Sequence, residues 1–68
     1  MSAQLEFYQQ RALVARADAE AAVLDNVRDR FLNAAVAWEG MATRAARTER
    51  MRADLEARKR MEREAEVV

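Results

Sequence analysis

Residues 21–31 read "AAVLDNVRDRF", and the fold turns on what happens at residues 23–26 within them. Upstream, Leu5, Tyr8, Ala12, Ala15, Ala19 and Ala22 follow one another at alternating intervals of three and four, the spacing of a single helix face. The next member of that series would be Asn26, which is polar. A new series begins at Leu24 and continues through Val27, Phe31, Ala34, Trp38, Met41 and Ala45. The phase jump falls across "VLDN". Asp25 and Asn26 are both good N-cap residues, and Asp29 stands three after Asn26, a relative of the capping box with Asp in place of Glu or Gln. The pattern predicts a tight turn at about residues 23–26 between two helices. The competing reading is one continuous helix with a phase slip, since neither Gly nor Pro forces a turn there.

The rest of the chain supports helix throughout. It has no Pro and one Gly, Gly40, and it is rich in Ala, Arg, Glu, Leu and Met, all good helix formers. Ser2 is placed to cap the first helix, because its hydroxyl can accept from a backbone N–H of the first turn. The expected fold is all-α: an antiparallel helical hairpin with helices at about 3–22 and 26–64. Helix 1 can cover helix 2 only to about residue 45. The chain therefore divides into a hairpin, residues 1–46, and a charged helical extension, residues 47–68, frayed at its C-terminus.

Two apolar lines per helix follow from the spacing. The main seam is Leu5 and Tyr8 on helix 1 against Leu24, Val27, Phe31, Trp38 and Met41 on helix 2, with the small Ala12, Ala15 and Ala19 allowing close approach. A second line on helix 1 holds Phe7 and Val14, flanked by Ala3 and Ala21. A second line on helix 2 holds Leu32 and Val36, with Ala35 beside them. A lone hairpin buries one stripe per helix. Two stripes predict burial from two directions, and a homodimer forming a four-helix bundle is the economical solution. A chain of 68 residues with no Cys, hence no disulfide, gains most from such association.

Residues 47–66, "RTERMRADLEARKRMEREAE", change character: thirteen of the twenty are charged. Opposite charges recur at helical spacing, as in Arg50 with Asp54, Arg52 with Glu56 and Arg58 with Glu62, each pair contributing a few tenths of a kcal/mol. Met51 and Leu55 add a thin apolar seam that Met61 follows. A solvated helix end and a short coiled-coil contact are the two readings of this segment. The candidate partner interface is thus Phe7, Val14, Leu32, Val36, Met51 and Leu55.

Gly40 also has two readings, a tolerated mid-helix glycine or a helix end. The apolar series continues through Met41, Ala42 and Ala45, which favours tolerance, with a close approach by a backbone or by the Tyr8 ring as the reason for it.

Composition removes most chemistry. Without His or Cys the usual transition-metal sites are absent, and with Ser2 as the one Ser enzyme chemistry is hard to build. A carboxylate pair such as Glu20 and Asp25 has no concave pocket to perturb it. No enzyme activity, cofactor or small-molecule substrate is expected. Twelve basic and twelve acidic residues cancel, and the basic ones interleave with acids, which speaks against nucleic acid as the partner. The longest uncharged stretch in the middle, "FLNAAVAW" at residues 31–38, is too short for a membrane span of about 20 residues. No secretory pattern opens the chain, so a cytoplasmic location is expected.

Residues 7–46 resemble a group of very short, uncharacterised helical proteins of alphaproteobacteria. The shared pattern is an aromatic-x-x-R-A start (Tyr8 or Phe7, Arg11, Ala12), an A-x-x-A run, then V-R-[DE]-R-x-L (Val27, Arg28, Asp29, Arg30, Leu32) and A-x-x-W-x-x-M-A (Ala35, Trp38, Met41, Ala42). Relatives often carry Pro where Asp25 stands, which implies a helix start there. The resemblance implies a helical fold and carries no established activity. "RDRFLNAA" also looks like a segment of small anti-sigma factors of the alphaproteobacterial general stress response, although that family's Pro residues and first-helix motif are missing. The expected function is a small non-enzymatic protein–protein interaction module, self-associating as a homodimer or bound to another protein. The alternative is a small transcription-related regulator, nucleic-acid-associated or a sigma-pathway adaptor.

Overall fold

A computed structural model describes residues 2–67; Met1 and Val68, the outermost residues of the two expected segments, lie outside it. Two helices account for the fold, α1 (Ala3–Ala21) and α2 (Asp25–Val67), and no strand occurs among the described residues. The chain is all-α and folds as an antiparallel hairpin. Among the described residues, no helix is long and apolar enough to cross a membrane.

Ser2 caps α1 as its side-chain chemistry predicts. Its hydroxyl accepts from the Leu5 N–H at 3.2 Å, and its carbonyl accepts from the Glu6 N–H at 3.2 Å. At the other end, Ala22 leaves the helix with φ −69° and ψ 133°, while its N–H still donates to the Ala19 carbonyl at 3.3 Å. No described residue has a positive φ, so the turn needs no glycine.

The turn itself differs from the one expected. α2 begins one residue earlier, at Asp25, and the Arg28 N–H donates to the Leu24 carbonyl at 3.0 Å. Asn26 and Asp29 therefore lie inside the helix, and no capping box forms. Arg28 takes over the closure: one guanidinium nitrogen donates to the Ala22 carbonyl at 3.3 Å and another reaches the Asp25 carboxylate at 3.4 Å. A carbonyl orphaned at the end of α1 is thereby satisfied from the first turn of α2. Leu24, expected in the core seam, is 62% exposed, because it stands in the turn and has no α1 residue opposite it.

Packing between the helices centres on alanines. Ala12, Ala15, Ala19 and Ala35 are the buried residues, and Ala35 is fully so. Leu5, Tyr8, Val27, Phe31, Trp38 and Met41 line the same interface half-buried. Ala35 was expected beside Leu32 and Val36 on the second line; it faces α1 instead. A methyl side chain fits where two backbones approach closely, and larger neighbours are pushed to the edges of the contact, where each keeps part of its surface in water.

α2 is far longer than α1. Gln4 and Tyr8, near the start of α1, share a depression with Met41, Arg44, Ala45 and Thr48 of α2. From Arg50 onward every described residue is exposed, and the helix continues unbroken to Val67. The molecule is a rod, 67 × 14 × 12 Å. At about 1.5 Å per residue, α2 alone accounts for that length.

Candidate interaction surface

Trp38 is held from above by three α1 side chains. The Phe7 ring meets it edge-on at 5.8 Å between centroids, the Tyr8 ring lies tilted at 6.0 Å, and the Arg11 guanidinium carbon sits 5.6 Å from the indole centroid. Phe7 and Tyr8 also meet edge-to-face at 5.9 Å. Such arrangements place positive ring edges and a cation against a negative π-face. Phe7 is nonetheless 53% exposed, so it clamps Trp38 with one edge and offers its other surface outward.

The opposite flank of the helix pair carries an ion pair. Arg16 donates from Nε to one oxygen of Glu39 at 2.6 Å and from an Nη to the other at 2.7 Å, a bidentate pair that bridges α1 and α2. The hydrogen bond from Arg16 is the main cause holding the Glu39 carboxyl below the usual carboxylate range, with the guanidinium charge adding to it and partial desolvation opposing. Both side chains remain nearly half exposed.

These two features define two faces of the hairpin, and they separate the two secondary stripes. With successive residues about 100° apart, Phe7 and Val14 fall on the flank that carries Arg11. Leu32 lines a depression with Arg16, Ala19, Glu20 and Arg28, on the flank of the ion pair. Leu13 shares a further depression there with Glu39 and Thr43. The stripes of the two helices therefore point to opposite sides of the hairpin. A bundle partner laid on one flank leaves the other bare.

Exposure along the candidate interface is uneven. Val14 and Leu32 are 37% and 38% exposed, while Val36, Met51 and Leu55 are 62%, 64% and 52% exposed. Met51 and Leu55 border one open groove on α2 together with Thr48, Arg52, Asp54 and Arg58. Phe7, Met51 and Leu55 share a flank; Leu32 and Val36 do not belong to it.

Gly40 lies inside α2 and does not end it. A methyl group there would meet only the Arg44 guanidinium, at 3.7 Å, an ordinary contact. The close approach by a backbone or by Tyr8 that was expected to explain this glycine is absent.

The expected i,i+4 ion pairs of the extension do not close. Among the described residues, the ion pairs within 4 Å are Arg16–Glu39 and Arg28–Asp25. Long side chains in open solvent gain too little from pairing to offset their lost rotamer freedom. No group of three or more potential ligands that could hold a metal occurs among the described residues. No known protein family, curated protein or solved structure matches the chain.

Proposed function

We propose that this chain is a small, non-enzymatic protein–protein interaction module, self-associating or bound to another protein, with a regulatory or structural role. The observation that carries the reading is the inversion of its burial. Alanines fill the core, while Phe7, Leu13, Val36, Met51, Leu55 and Met61 are each more than half exposed. Large apolar side chains that lie together along exposed faces mark contact surfaces. The open grooves of the rod are shallow, and the two perturbed groups, Arg16 and Glu39, perturb each other, as a structural ion pair does.

Because the two apolar stripes lie on opposite flanks, they can be tested singly. Sedimentation equilibrium and affinity capture of the full chain should be compared with Phe7→Glu and Leu32→Glu. At least one variant is expected to lose a complex that the wild type makes, while circular dichroism shows an intact hairpin. A wild type that stays monomeric, and captures nothing that either substitution releases, would overturn the reading.

A further inference from the structure

We infer that the exposed half of α2 is the contact between two copies of this chain, paired antiparallel about a two-fold axis beside Ala53. This rests on the interaction-module reading above and gives it a specific surface and register.

The spacing along one flank of α2 suits such a pairing. Arg44, Thr48, Met51, Leu55, Arg58 and Glu62 follow one another at alternating intervals of three and four, the spacing of a coiled-coil seam, with Met51 and Leu55 as its apolar pair. Such a seam can be folded onto itself. An axis beside Ala53 sets Met51 on the partner's Leu55, Thr48 on the partner's Arg58 and Arg44 on the partner's Glu62. The apolar pair meets its own kind twice, and each Arg44 meets an acid. Moving the axis by half a heptad in either direction sets Leu55 against Arg44 or Arg58 instead.

Charge favours the antiparallel direction at the ends. Residues 47–60 carry six basic against three acidic side chains, and residues 61–67 carry three acidic against one basic. In the antiparallel pairing, the acidic end of one copy lies along residues 39–45 of the other. There the charges on this flank are Arg44 and Arg11, because Glu39 is turned to the far side by Arg16. The ends therefore attract in this pairing, while the net-basic stretch around the axis faces its own copy in either orientation.

The exposed area also suffices. The chain exposes 5784 Å². A compact monomer of its 7.8 kDa mass would expose about 4,400 Å². The excess comfortably exceeds the roughly 800 Å² that each partner contributes to a standard interface. The seam also holds an opposing element: Arg52 comes close to its own copy beside the axis, a like-charge contact that keeps the dimer weak.

The test is a charge exchange read by sedimentation equilibrium on the full chain. Arg44→Glu and Glu62→Arg are each expected to weaken the dimer more than tenfold, and the double variant to restore it. Positions 44 and 62 lie about 27 Å apart along one helix, so the rescue must act between copies. Arg52→Ala is expected to tighten the dimer. A second measurement uses the absence of native Cys: Met51→Cys mixed with Leu55→Cys should oxidise to a disulfide-linked heterodimer, whereas Met51→Cys alone should not. A dimer that survives both charge reversals, or singles that weaken it without rescue in the double, overturns this register and leaves self-association standing. A monomeric wild type overturns the pairing altogether, while partner capture sensitive to Phe7→Glu would still uphold the interaction-module reading.

Discussion

Gly40 is the residue whose meaning changed most between pattern and structure. A glycine inside a continuing apolar series suggests that something approaches it closely, yet the space beside it is open except for the Arg44 side chain. Gly40→Ala should therefore stabilise the hairpin by about 1 kcal/mol, the helix-propensity difference, and raise the melting temperature by about 4–8 °C. Thermal denaturation by circular dichroism reads this directly, and a lower melting temperature would show that the site is not open in solution. Glu39 is the other informative residue. Its carboxyl titrates below the usual range because Arg16 donates to it. The stabilisation is then present above the ordinary carboxylate pKa and is lost as the pH falls through the lower folded value. Urea midpoints measured from neutral pH downward should fall in the wild type across that window more than in Glu39→Gln. Equal slopes would mean that the bidentate pair does not persist in solution. The sequence offered no signal for this pair: the two residues are 23 apart, and only the relative rotation of the two helices brings them together.

At the scale of elements, the phase jump across "VLDN" was legible because a helix cannot carry one apolar face through a register break and keep it buried. That break identified two helices and located their joint to within a residue or so. What it could not resolve was which polar residue closes the turn. Asp25 and Asn26 have the right chemistry, but the chain leaves α1 through an extended Ala22, and Arg28 reaches back to the free carbonyl instead. Ala35 was misplaced for a related reason: angular position on a wheel does not say how far the facing helix has rotated, and alanine suits either a stripe's margin or its tightest point. The turn geometry makes a prediction that would fail for a continuous helix. Asp25 is the first residue of α2, where proline is tolerated and its missing N–H costs nothing. Asp25→Pro should leave the helix content unchanged and shift stability by no more than about 1 kcal/mol. Ala45→Pro, in mid-helix, should cost about 3 kcal/mol or more. Denaturant titration of the two variants separates the cases, and a large loss with Asp25→Pro would place this residue inside a helix rather than at its start.

The whole molecule poses a thermodynamic problem that neither helix shows alone. Its radius of gyration is 18.7 Å, against about 11 Å for a compact chain of 68 residues. The difference lies in the half of α2 that α1 does not reach. Every side chain there is exposed, and no ion pair within 4 Å ties its turns together among the described residues. With no tertiary contact, this stretch is held by helix propagation alone, which is close to neutral per residue in water, because each residue fixed gains little more than one solvent-exposed hydrogen bond. The residues around Ala35 stand in the opposite situation, packed directly against α1. Pairing between copies would supply the missing tertiary contacts, so helix formation in the extension and dimerisation become one linked equilibrium. Two consequences follow from that linkage. Mean residue ellipticity should rise with protein concentration, and the rise should vanish in Arg44→Glu. Hydrogen exchange should show amides of residues 54–66 almost unprotected in dilute protein and protected once the dimer forms, while amides near Ala35 stay protected in both. Equal protection of the two regions in a dilute monomer would mean that the extension is stable by itself, and the surface it exposes would then lack the linkage that makes a second copy its natural cover.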